Sequence, residues 1–250
     1  MWLIAVYHQV SLFSLKPSDA TSTGGRSLLV PTPFSIKMAL LDVALRLYGE
    51  SSESTFFPLI RDLGIALSPP PQIVVNNCFV RIHKPRRPKS GTGGKESDED
   101  NQSDGVSAGP FIRSVAFREY VQYNGPLGVA LEVLTQLDVD MLAPLLLQVT
   151  YFGKRGSLFQ VDSPPLIVEK LPTRQGYKQV NKQAAAEVHD PHSVLQVLDD
   201  CDSKLTFAKA SIYSQEALSP GKDRVFLPVT LPYQLTHSSR SYSLYERISS

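Results

Sequence analysis

The segment VRIHKPRRPK, residues 80–89, sets Arg81, Lys84, Arg86, Arg87 and Lys89 beside His83 within ten positions. That density of cations raises a strong local positive potential, although the formal net charge of the chain is only +1. The chemistry it suits is phosphate binding. A single-stranded RNA is held by cations on its phosphates and by aromatic or guanidinium planes stacked on its splayed bases. The alternative is a solvated loop base whose cations neutralise the acidic residues that follow. A second pair, Lys154 and Arg155 in YFGKRGS, stands between Gly153 and Gly156, where the backbone could approach a phosphate closely or simply make a tight turn. Arg113, Arg118 and Tyr120 fall in IRSVAFREYVQY, read as a strand. Its period of two puts Arg118 and Tyr120 on one face and Phe117 on the other, either to grip RNA or as plain amphipathic alternation over a core. Lys37 in the first turns of a helix, with Lys16 and Arg26 in the loop before it, completes the candidate set. A helix N-terminus favours a phosphate near Lys37, and a lone helical lysine pointing to solvent is the plainer alternative.

Other chemistries find little footing. Cys78 and Cys201 stand far apart with no CxxC, so neither a zinc site nor a disulfide framework is indicated. His189, Asp190 and His192 in EVHDPHSV lack a distant ligand cluster. GxxxxGK[ST], GxSxG, HExxH and a strand-following GxGxxG are all missing, which argues against the corresponding hydrolase and nucleotide-binding chemistries. No cofactor and no metal are expected.

The elements that must position these residues read as follows. Residues 2–13, WLIAVYHQVSLF, have strand composition, and a Ser/Thr/Gly-rich connection follows. PFSIKMALLDVALRLYG repeats apolar residues at helical spacing, begins with Pro33 and stops at Gly49. A shorter helix is expected through FFPLIRDLGIAL, ended by Pro69 to Pro71, and then a strand over residues 73–83. Residues 84–110 are almost without apolar side chains and read as a mobile loop. Two extended segments then flank Asn124 and Gly125, VDMLAPLLLQVTYFG suggests a helix around Pro144, and SLFQV and PPLIVEKL are short strands. The order is βαββαβ, the connectivity of an α+β ferredoxin-like (RRM-like) domain over residues 1–170, with residues 84–110 as an inserted thumb or loop. Residues 171–250 are expected to form a small β-rich subdomain or extension, with a helical stretch around SVLQVLDDCD and extended pieces in FAKASIY, RVFLPVTLPYQ and RSYSLYERI. With 42% hydrophobic and 20% charged residues the chain is globular. No apolar run nears the roughly 20 residues that cross a bilayer, and residues 2–6 do not read as a signal peptide, so a cytoplasmic protein without a membrane partner is expected.

VPTPFSIKMALLDVAL at the first helix, REYVQYNGPLGVALEV at the third strand and YFGKRGSLFQ after the second helix, taken in order across this frame, resemble the CRISPR-associated family-five subunits, RAMP proteins of type I effector complexes. The resemblance covers about Met1 to Glu169 and, more loosely, RSYSLYERI. It implies a subunit that caps the 5′ handle of the guide (CRISPR) RNA, touches target DNA only indirectly, and reaches a backbone subunit through a thumb-like hairpin, with a large subunit as a further partner in Cascade. The acidic, polar tip of residues 84–110 and the solitary Gly176 and Gly221, in place of a glycine-rich loop near the C-terminus, depart from the family pattern. One branch of the family cleaves precursor RNA without metal. His83 beside Lys84, with Tyr48 or Tyr120 as a third member, is the nearest match to the general base and cation such a step needs. A purely structural adaptor, with little salt-dependent RNA affinity, is the third reading.

Overall fold

The computed structural model describes residues 1–18, 25–85, 110–181 and 193–248. The chain is mixed α and β, and its sheets are antiparallel. Strand β1 (Trp2–Gln9) lies between β5 (Leu127–Glu132) on one side and β6 (Phe159–Val161) with β7 (Leu166–Val168) on the other. Strand β5 pairs onward with β2 (Ile65–Ser68), and β2 with the short edge strand β8 (Lys178–Gln179). The odd residues of β1, Leu3, Ala5 and Tyr7, enter the main core. Trp2 and Ile4 point to the opposite face, where Ala66, Ala130 and Tyr177 close over them.

Helix α1 (Pro33–Tyr48) and helix α3 (Gln136–Gln148) contribute to the main core. The hydroxyl of Thr32 accepts from the Ser35 amide and caps α1, Pro33 occupies a first-turn position where it loses no helical bond, and Gly49 at φ 81° ends the helix. Ile36, Ala39, Leu40, Val43 and Ala44 are fully covered. Between them, α2 (Glu53–Arg61) is shorter than the apolar run FFPLIRDLGIAL implied. Gly64 follows its end, and Ile65 to Leu67 find a strand partner in β5, so the second half of that run is the buried strand β2.

The β2–β5 pair continues outward as a second, longer pair, β3 (Gln72–Pro85) with β4 (Phe111–Asn124). The break between the two pairs comes at the same level in both strands. Pro69, Pro70 and Pro71 interrupt one strand, and Gly125 (φ 120°) interrupts the other, where a Cβ would strike Pro71. Two further strands, β11 (Tyr233–Ser238) and β12 (Tyr242–Arg247), join this sheet through β12 on β3.

The C-terminal part departs from expectation in three places. SVLQVLDDCD is a strand, β9 (Val194–Cys201), because β10 (Arg224–Leu231) pairs with it residue by residue and places Leu198 and Leu227 in the core. FAKASIY opens with a single helical turn, α4 (Phe207–Ala210), capped by Thr206. The polar stretch after Thr173 contains β8, held by buried Tyr177 and Val180. Residues 171–248 thus supply strands to the first sheet and to the long hairpin, and a pair that packs on α1. No helix among the described residues is long and apolar enough to cross a membrane.

Candidate nucleic-acid interface

In an antiparallel pair, directly opposed residues share a face, and the register of β3 with β4 therefore sorts the candidate side chains. One face carries Phe79, Arg81 and His83 on β3 opposite Phe117, Val115 and Arg113 on β4, with Phe111 opposite Pro85. Phe79 is 68% exposed, Val115 64% and Phe111 54%, and Arg81, His83 and Arg113 are exposed as well. The Phe79 and Phe117 rings stand 5.6 Å apart, and His83 lies nearly parallel to Phe111 at 6.3 Å. Along each strand the side chains of this face recur about every 6.6 Å. Nearer the body of the protein the same face becomes core, through Ile73, Val75, Val121 and Tyr123. A hairpin face that is apolar at its root is anchored there, and the exposed continuation extends outward from that anchor.

The opposite face holds Arg118 opposite Cys78 and Tyr120 opposite Asn76. Both are half-buried, and the Arg118 guanidinium donates back to the Phe117 carbonyl at 2.9 Å. Lys84 lies on β3 opposite Ile112. Arg86, Arg87, Lys89 and the rest of the loop to residue 109 lie outside the described residues, as do His189, Asp190 and His192. Exposed Arg26 is delivered to the outer edge of β4 by Gly25, whose carbonyl accepts from the Glu119 amide at 2.8 Å. A Cβ at Gly25 would run into the Phe117 carbonyl, so only glycine permits this approach. The Glu119 carboxylate accepts from the Ser27 amide at 2.8 Å and fastens the same segment.

A second group assembles beside the start of α1. The segment 11–16 runs beside the turn at 153–157, with the Ser11 hydroxyl donating to the Gly156 carbonyl at 2.6 Å, the Ser14 amide donating to Ser157 Oγ at 3.1 Å, and Leu15 packed against Gly153. Lys16, Lys154 and Arg155, all exposed, are thereby gathered together. Tyr151 leads into this turn. Burial raises its hydroxyl pKa above the ordinary value, Asp42 pushes the same way, and Arg155 opposes the rise.

Lys37 must be withdrawn from the set. Its side chain is 2% exposed, with Nζ 2.6 Å from Asp200 Oδ1 and donating to the Arg61 carbonyl at 2.9 Å. Helical spacing placed it early in α1, but β9 and α2 pack over that side of the helix and enclose it. The proposed catalytic grouping is also dispersed. Tyr120 lies on the other face of the hairpin from His83, and its partner Asn76 is seven positions from His83, roughly 23 Å of strand. Tyr48 stacks on Phe56 at 5.0 Å at the end of α1.

The sequence reading overlooked Phe79 and Phe111, although F-x-R-x-H over residues 79–83 carries the period of two that marks one strand face. It also passed over Arg224, and there no local signal was available. Neither cysteine forms a disulfide, and burial pushes the Cys201 thiol up to about 12. Among the described residues no group of three His, Cys, Asp or Glu side chains could hold a metal ion.

No family model matches the sequence. A curated relative does: the CRISPR-associated protein Cas5 of Archaeoglobus fulgidus is 25% identical over 218 residues, 85% of each chain. Two solved structures align along 99% of this chain. A CRISPR protein from Archaeoglobus fulgidus is 13% identical over 92% of its own length, with a TM-score of 0.38. A chain of a CRISPR RNA-guided surveillance complex is 14% identical over 89% of its length, with a TM-score of 0.42. By the sequence alignment, which spans most of both proteins, the chain is similar to CRISPR-associated protein Cas5, and the family-five resemblance is borne out at that level.

Proposed function

We propose that this protein is a non-catalytic RNA-binding subunit of a type I CRISPR surveillance complex, capping the 5′ handle of the guide RNA and so supporting RNA-guided recognition of DNA in the cytoplasm. The observation that carries the reading is the single hairpin face that sets Arg81, His83 and Arg113 among exposed Phe79 and Phe111 and half-buried Phe117. Cations meet phosphates and rings meet bases at a spacing that suits an extended strand of RNA. The name of the curated relative supports the CRISPR setting.

A ferredoxin-like frame is part of the proposal. The order β6–β1–β5–β2, with α1 between β1 and β2 and α3 between β5 and β6, is consistent with a βαββαβ sheet whose central hairpin has been lengthened into β3 and β4. In such a sheet the face opposite the helices commonly stacks on RNA. Here the Trp2, Ile4 and Tyr177 cluster occupies it, so the binding role falls to the hairpin. Its outer end, at Pro85 and Phe111, is then suited to reach a backbone subunit, and the large subunit would meet the same assembly. Cleavage is not favoured, because His83 is separated from Tyr48 and Tyr120, and a purely structural adaptor would have no use for a cation–aromatic face.

The test is titration of the purified protein into labelled precursor repeat RNA at several salt concentrations, with cleavage followed in EDTA for the wild type and for His83→Ala. Salt-sensitive binding without cleavage is expected. Metal-independent cleavage lost in His83→Ala would replace this reading with an endoribonuclease, and absence of binding would leave the adaptor.

A further inference from the structure

A cavity of about 240 Å³ opens beside the start of α1, lined by Leu15, Lys16, Phe34, Met38, Tyr151 and Arg224 among others. Its interior is largely apolar, and its one carboxylate, Asp199, is neutralised: Arg224 donates through Nε at 2.7 Å and also through Nη2, and the Ser18 hydroxyl donates at 2.8 Å. The Arg224 guanidinium is further held over the Phe34 ring, 4.1 Å from its centroid. Arg224 and Phe34 are therefore held against each other before any ligand arrives. Its rim is different in character, because Lys16 lies there and Gly153 leads directly into Lys154 and Arg155.

A neutral interior with an aromatic ring and a guanidinium plane, under a cationic rim, suits a planar group carried on an anionic backbone. The volume falls below the roughly 300–1,000 Å³ of sites that enclose drug-sized ligands, so it suits one base with its sugar and phosphates left outside. Resting on the RNA-binding reading above, we infer that this cavity receives a single unstacked nucleobase of the bound RNA, seated against Phe34, Tyr151 and Arg224, while Lys16 and the 154–155 turn hold the flanking phosphates. Because the hairpin face lies elsewhere on the fold, the strand is gripped at two separate places.

The test uses a series of short single-stranded repeat RNAs, each with 2-aminopurine at a different position, bound to the full chain and challenged with iodide. One position is expected to be shielded from quenching. Met38→Phe, which fills the cavity from its half-buried wall, should abolish that shielding and weaken binding about tenfold, the scale of one lost stacking partner, with the salt slope unchanged. Lys16→Ala, at an exposed site that folding does not need, should lower the slope by about 0.7 and keep the shielding at saturation. RNA that binds with no shielded position, or with shielding that survives Met38→Phe in a variant of unchanged melting temperature, overturns the cavity proposal and leaves the RNA-binding reading intact. Failure to bind RNA at all overturns both.

Discussion

At the scale of single residues, the decisive contrast is between cations that face solvent and one that does not. Arg81 and Arg113 stand exposed on the hairpin, whereas the Lys37 ammonium is spent on Asp200. Replacing either arginine by alanine should lower the slope of log affinity against log salt by about 0.7, while Lys37→Met should leave it unchanged; fluorescence anisotropy with a labelled repeat RNA measures this. Lys37→Met should instead cost about 3 kcal/mol in a urea denaturation, since it abandons a largely buried carboxylate. That deficit has a sign in pH. Burial already raises the Asp200 pKa against the pull of Lys37, and loss of Lys37 raises it further. A carboxyl whose folded pKa exceeds its unfolded one favours folding when protonated, so the deficit should shrink as pH falls from about 7 through that raised value toward about 4. An equal deficit at both ends of that range would mean that Asp200 is not the charge left behind.

At the scale of elements, α3 is specified at its start. Thr135 Oγ1 accepts from the Asp138 amide at 3.1 Å, and the Asp138 carboxylate accepts from the Thr135 amide at 2.8 Å and the Leu134 amide at 3.0 Å, a complete capping box. Thr135→Ala should destabilise the protein by about 1 kcal/mol. The Thr135 amide leads the groups that hold the Asp138 carboxyl below the usual carboxylate range. The stabilisation it supplies is present above the unfolded value near 4 and disappears as pH falls through the lowered folded value. The difference in melting temperature between wild type and Asp138→Asn should therefore narrow on acidification, and a gap constant across that range would assign the loss to something other than charge. The hairpin shows the same economy of local cause: three prolines and one glycine at a common level separate the strand pair that builds the core from the pair that leaves it.

At the scale of the whole molecule, residues 171–248 are woven into the rest. Strand β12 covers the edge of β3, β9 packs on α1, and Leu198, Leu205, Leu227 and Tyr233 complete the main core. The Tyr233 hydroxyl donates to the Pro70 carbonyl at the very bend of the hairpin. A fragment comprising residues 1–170 should accordingly fail to show a cooperative thermal transition, whereas the full chain unfolds as a unit. A sharp transition in the fragment, with RNA binding retained, would make the C-terminal part an appendage.

The sequence alone was enough for α1, whose apolar spacing, Pro33 and Gly49 define both ends, and for the alternation that sends Arg118 and Tyr120 to one face of β4 and Phe117 to the other. It was enough, too, for the family-five resemblance, because that rests on the order of local motifs. It was misleading over residues 193–202, where apolar residues at nearly helical spacing form β9, since pairing with β10 outweighs intrinsic preference. Lys37 could not be told from a surface lysine, because burial depends on what packs against a helix and not on its own pattern. Nor could any local pattern bring Lys16 beside Lys154, or Arg224 over Phe34, across more than 130 and 180 positions respectively. Periodicity is written in neighbouring residues, whereas burial and the meeting of distant side chains arise only when the elements close around a common core.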